Sequence, residues 1–246
     1  MSTAALEQAL VEAAPRLTAR VLAEMYADPF WAARFGERGR GHARQDGDYH
    51  LTYVVEALRA DDPAVFVKYA RWLRDLLVAR GMCSRHLADN FARLAIAIDG
   101  EPWPDRGEAV AVLQAGIDAL RHRQGDAGMI DDHRAALVAA VVTRLRRDRP
   151  GLVDRWDRDG GPGCVDELDA WLSYLADALA LAQPERFTAH VAFARGLLAR
   201  RGLGPGDVDA AVTALAAVVA AEIPAALRPA SYLDAARQPR AAAEGA

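Results

Sequence analysis

The chain has 246 residues, 52% of them hydrophobic and 26% charged, which is the composition of an ordinary globular protein. Thirty Lys and Arg against 34 Asp and Glu leave a formal charge of −4 and a pI near 5.9, so nothing suggests a general affinity for polyanions. No apolar run reaches the ~18 residues of a membrane span, the opening Met-Ser-Thr-Ala-Ala is no secretion signal, and two cysteines, Cys83 and Cys164, make no disulfide framework; a cytoplasmic protein that meets neither membrane nor nucleic acid is expected.

Apolar residues recur at helical spacing along the chain, and no stretch alternates for long enough to make a strand. In chain order the pattern predicts helices over roughly 4–25, 44–60, 63–80, 84–98, 107–123, 131–148, 164–181, 184–201, 206–222 and 228–237. Gly, Pro and Asp cluster between them, as at Asp61-Asp62-Pro63 and Gly100 to Asp105. Pro63 and Pro184 suit the first position of a helix. Gly81 and Gly202 suit the left-handed position that ends one. Arg144, Arg146, Arg147 and Arg149 fall at a helix end, where cations complement the dipole. Residues 240–246 read as a flexible tail.

An internal repeat is the strongest signal. Offsetting the sequence by 121 makes twelve of the 34 positions from Asp48 to Gly81 identical, among them Leu51/Leu172, Tyr53/Tyr174, Pro63/Pro184, Phe66/Phe187, Arg80/Arg201 and Gly81/Gly202. Chance gives about three at an average composition. Two copies are too few for a solenoid. An all-α chain of two tandem helical lobes is expected, 1–123 and 130–239. The apolar stripes around Phe66, Leu73 and Leu77 and around Phe187, Val191 and Leu198 read as core, and Trp72, paired with Phe193, joins them.

The helix before each of these carries a different stripe. Cys164, Glu167, Trp171, Tyr174 and Ala178 recur every three or four residues and share a face; the first copy reads Ala43, Asp46, His50, Tyr53, Ala57. A carboxylate, a ring and a tyrosine on an inward stripe are unusual for packing alone, because a buried carboxylate needs a donor. Cys164 follows Gly160-Gly161-Pro162-Gly163, a sequence that breaks the chain and starts a helix. A thiol in the first turn lies at the positive end of the dipole, where thiolate is favoured. An incidental thiol is the plainer alternative.

These residues resemble the phycobiliproteins, globin-like proteins that carry linear tetrapyrroles (bilins). Cys164, Glu167, Leu172, Tyr174 and Ala178 fall at the spacings of that family's chromophore helix, where an attaching Cys is followed by Asp, Leu, Tyr and Ala; so do Ala43, Asp46, Leu51, Tyr53 and Ala57. Ala60-Asp61-Asp62-Pro63-Ala64-Val65 is similar to its Ala-Gly-Asp-x-Ser-Val turn. Ala230-Ser231-Tyr232-Leu233-Asp234-Ala235-Ala236 is similar to its C-terminal Ala-Ser-Tyr-Phe-Asp-x-Ala. The resemblance implies two globin-like lobes and a bound bilin, biliverdin or a reduced derivative, joined covalently at Cys164. Glu167 would face the inner pyrrole nitrogens and Asp46 would do so in the first lobe. Ala43 replaces the attaching Cys there, so that lobe would bind without a covalent bond. The Arg usual beside the Asp is Gln45 or Asp166 here, and Arg44 is the candidate substitute. The tandem arrangement differs from antenna subunits and implies a carrier or sensor, with homo-oligomerisation left open.

Other residues carry alternatives. Arg34 and Arg155 recur before the stripe and suit either ligand propionates or structural ion pairs. His50 suits a tetrapyrrole carbonyl or a core hydrogen bond. His190 lies mid-helix, where a haem-binding globin could carry its iron ligand, but its partner in the other copy is Tyr69, so the position does not require one. His86 and Asn90 share a half-exposed face, Cys83 reads as incidental, and Trp103 between two prolines reads as a loop anchor. No catalytic triad or phosphate loop appears, so an enzyme is not expected. A cofactor-free helical regulatory or scaffolding module and a haem-binding globin remain as alternatives.

Overall fold

The computed structural model describes residues 3–158, 162–223 and 227–237, and every regular element among them is a helix. The chain divides into two compact units, Met1–Arg121 and His122–Ala246. Gly160, Gly161 and the expected tail 240–246 lie outside the described residues.

The first unit holds α1 (Thr3–Tyr26), α2 (Pro29–Arg59), α3 (Ala64–Ala79), α4 (Ser84–Asp99) and α5 (Arg106–Leu120). Here α2 starts well before the expected residue 44. Asp28 caps it, its carboxylate accepting from the Phe30 N–H at 2.8 Å, and Pro29 opens it. Helical spacing missed this stretch because the chain turns at Gly36 (φ +60°, ψ −166°), which interrupts the apolar period. Helix α2 packs on α1, α3 and α5, and α4 packs on α1 and α5. Leu6, Leu10, Leu17, Val54, Phe66 and Phe91 are fully buried between them. Gly47 and Gly116 set two of the close approaches: a Cβ at Gly47 would lie 2.5 Å from Thr18 Cγ2, and one at Gly116 2.3 Å from Phe66 Cε1.

The second unit holds α6 (Gly125–Asp148), α7 (Leu152–Trp156), α8 (Cys164–Leu181), α9 (Pro184–Ala199), α10 (Pro205–Glu222) and α11 (Leu227–Arg237). Helix α6 begins six residues before the expected 131, and the short α7 was not expected. Helix α6 packs on α8 and α10, and α11 on α9 and α10. Leu168, Leu172, Leu175, Phe187, Leu215 and Leu233 form the core. Helix α8 is buried continuously from Trp171 to Leu179.

Both glycine stops form as the sequence implies. Gly81 (φ +90°) and Gly202 (φ +79°) are left-handed. The following N–H reaches back to a carbonyl five residues earlier, Met82 to Leu77 and Leu203 to Leu198, each at 3.1 Å. Pro184 opens α9, whereas Pro63 sits one residue ahead of α3. Trp72 departs from its expected place in the core. It is 59% exposed on the outer face of α3, beside Lys68 and Arg71.

Candidate ligand-binding site

The two stripes have different surroundings. In the second unit the stripe is packed. Cys164, Trp171 and Tyr174 are buried, as is Glu167. The Trp156 ring stands 6.1 Å from that of Trp171. Tyr174 stacks on His190, with centroids 3.6 Å apart and planes 14° apart, and both are buried.

At Cys164 the surroundings work against the expected thiolate. Its backbone N–H donates to the Asp157 carboxylate at 2.7 Å. Burial, then Asp157, push the thiol up to about 12 against a smaller opposing effect of Arg146. The helix end that should favour the anion is already answered by a carboxylate, and desolvation outweighs the rest. Arg155 makes an ion pair in this structure. With Arg149 it holds Asp207, at 2.9 and 3.1 Å.

In the first unit Ala43, Asp46 and His50 of the corresponding stripe line a cavity of about 130 Å³. Its floor is made of buried side chains: Met25 from α1, Trp31 and His50 from α2, Leu87 and Asn90 from α4. Asn90 donates to the Met25 sulfur at 3.0 Å. Tyr26, Phe35, Ala43, Asp46 and Met82 form half-buried walls, and the exposed His42 and Arg80 stand at the mouth. Trp31 lies 6.2 Å from Tyr26 and 5.7 Å from Phe35, with the ring planes 37° and 32° apart.

Two polar groups of this cavity are tuned by their surroundings. His50 is held neutral, its pKa lowered to about 3 by burial. Its Nδ1 is 2.7 Å from the Tyr69 hydroxyl, which leaves Nε2 as the ring nitrogen available to a cavity occupant. Burial and the nearby Asp46 charge raise the Tyr69 pKa, so it stays a phenol. A phenol is the natural donor of that pair, and donation to Nδ1 would place the imidazole proton on Nε2. Asp46 is half-buried and makes no hydrogen bond or ion pair among the described residues. Desolvation raises its pKa, opposed by the Arg80 and His42 charges.

Of the expected site residues, Asp46 and His50 therefore meet at one cavity, with Ala43 beside them. Tyr53 does not join them: it is 38% exposed and stacks on Tyr69 at 4.0 Å. Arg44 is exposed and lies outside the cavity lining. His86 and Asn90, expected at a half-exposed face, are buried; His86 sits 4.8 and 5.0 Å from the Phe30 and Trp31 rings, and its pKa is lowered to about 3, chiefly by burial. Cys83 is buried as well, and Trp103 is half-buried, its carbonyl accepting from Arg106 at 3.3 Å.

The aromatic wall was missed from sequence because Trp31 and Phe35 fell in a stretch with no assigned helix. The signal available was Asp28-Pro29, a cap followed by a helix-opening proline, ahead of three aromatic residues. Among the described residues no group of three or more His, Cys, Asp and Glu is placed to hold a metal ion. Comparison with family models, with curated proteins and with solved structures finds no match.

Proposed function

We propose that this chain is a non-enzymatic ligand-binding protein built from a duplicated helical unit, with its site in the first copy. One observation carries the binding reading: an unpaired half-buried carboxylate, Asp46, and a neutral imidazole, His50, share an aromatic-walled cavity. A few convergent polar groups in an apolar cavity are the ordinary form of a small-molecule site. Two observations support the duplication. The offset of 121 carries α1, α3, α4 and α5 onto α6, α9, α10 and α11, and carries the two parts of α2 onto α7 and α8. The packing pairs correspond as well: α1 with α2 and α4 in one unit, α6 with α8 and α10 in the other.

The phycobiliprotein resemblance makes a linear tetrapyrrole the first ligand to test. Ala43 stands where the attaching Cys would be, so binding in the first unit would be noncovalent. A cavity near 130 Å³ takes about one ring, since ~150 Å³ holds a benzene-sized molecule. One pyrrole would enter against Asp46, with the others lying along the mouth by His42 and Arg80. The Trp171-to-Leu179 burial of α8 favours a cofactor-free, structural role for the second copy.

Titration of the purified protein with biliverdin tests the pigment. The expected result is a shifted visible band that Asp46→Asn weakens and denaturation releases. A zinc-fluorescent adduct that survives a denaturing gel and vanishes in Cys164→Ala would move the site to the second unit. No spectral change at all would remove the bilin.

A further inference from the structure

The cavity of the first unit has a charge layout that specifies its occupant more closely than its size does. We propose that it receives a compact zwitterion, with a cationic nitrogen held inside by Asp46 and the aromatic wall and an anionic group held at the mouth by Arg80. This inference rests on the ligand-binding reading of the cavity and is independent of the pigment.

Asp46 is the one anionic side chain on the lining, and no described residue pairs it. A half-buried anion without a partner is costly, and a cation brought to it recovers that cost. Tyr26, Trp31 and Phe35 line the same cavity, the Trp31 ring 6.2 Å from that of Tyr26 and 5.7 Å from that of Phe35. Ring faces of this kind attract ammonium groups, alkylated ones above all, because their weak hydration makes them easy to bury. One face of Tyr26 is already taken by the Arg40 guanidinium, 5.1 Å from the ring centroid, which leaves the nitrogen to Asp46 and to the Trp31 and Phe35 rings. His50, neutral at physiological pH, adds no repulsion.

At the mouth the sign reverses. Arg80 and His42 both act on the Asp46 charge, yet neither makes an ion pair with it. Arg80 ends α3 just before the Gly81 turn and projects at the exposed edge. The second unit shows the other fate of this position: Arg201, at the offset of 121, donates to the Trp156 and Pro162 carbonyls at 2.9 and 3.0 Å. There Trp171 stands at the place of His50 and Trp156 at that of Phe35, two larger side chains. The positive mouth is unfavourable for a bare cation and favourable for a ligand that carries its own anion. At about 130 Å³ the space suits six to eight non-hydrogen atoms, roughly.

Glycine betaine is the probe, with 3,3-dimethylbutanoate as the isostere of the same shape lacking the positive charge. Calorimetry on the full chain should show betaine binding at least about tenfold tighter than the isostere. Asp46→Asn should erase that preference, Phe35→Leu should reduce it several-fold, and Arg80→Gln should weaken both ligands alike. Circular dichroism reports whether each variant is folded, and Tyr53→Phe, outside the cavity, is the control. Equal binding of the two ligands, or a preference that survives Asp46→Asn, overturns the inference. So does failure of betaine to bind. Indole and phenol then separate the outcomes: if either binds and is lost in His50→Phe, the cavity is a ligand site of another class; if neither does, the ligand-binding reading falls too.

Discussion

Two histidines of the first unit, His50 and His86, are buried and neutral, with values near 3 against about 6.5 in an unfolded chain. The folded state binds fewer protons than the unfolded one across that interval. Their contribution to stability is therefore complete above pH ~6.5 and is lost as the pH falls towards 3, by about 1.4 kcal/mol per pH unit for each. Thermal melts from pH 7 to 4 should show a steep loss of Tm, and His86→Leu should flatten it; an unchanged slope would mean that carboxylates alone drive it. Asp46 runs the other way. Its raised value means that stability declines as the pH rises through it, so Asp46→Asn should leave the protein as stable as the parent, or more so, near pH 7. Cys164 gives a third residue-scale test. With the thiol buried and pushed up to about 12, Ellman's reagent should titrate it only after denaturation, at a rate far below that of a free cysteine. A fast native reaction would return Cys164 to the list of attachment sites. The sequence made both stripes visible, but not which was open, because Ala43 against Cys164 and His50 against Trp171 differ in volume, and volume matters only once neighbours are known.

At the scale of helices, glycine positions report how closely elements approach. Gly116→Ala would drive a methyl into Phe66, and Gly47→Ala one into Thr18. Each should cost about 1–3 kcal/mol by overpacking, read as a lower urea midpoint with unchanged slope. Gly202→Ala meets no neighbour, so its cost of about 1 kcal/mol comes from the left-handed backbone alone. The comparison separates the two causes. Gly81 and Gly202 were legible as helix ends, since Arg-Gly closing an apolar stripe has few other uses. Gly36 was not. Its turn breaks the period of α2, so the segment carrying Trp31 and Phe35 looked irregular until its packing on α1 was known.

The whole molecule divides at Arg121 and His122, and each part has its own fully buried core, around Phe66 and Phe91 in one and Phe187 and Leu215 in the other. Fragments ending and beginning there should each give a helical circular dichroism spectrum and a cooperative melt; a fragment that stays unfolded would show that its core needs the rest of the chain. The amino-acid order by itself determined the helical class, most element positions and the offset of 121, because these rest on local periodicity, turn chemistry and self-similarity, all written along one dimension. It could not determine where space is left over. Whether a ring fills a gap or borders one depends on side chains brought together from α1, α2, α3 and α4, which are distant in sequence. Only the tertiary structure could close the second stripe with Trp156 and Trp171 and leave the first one open around Asp46.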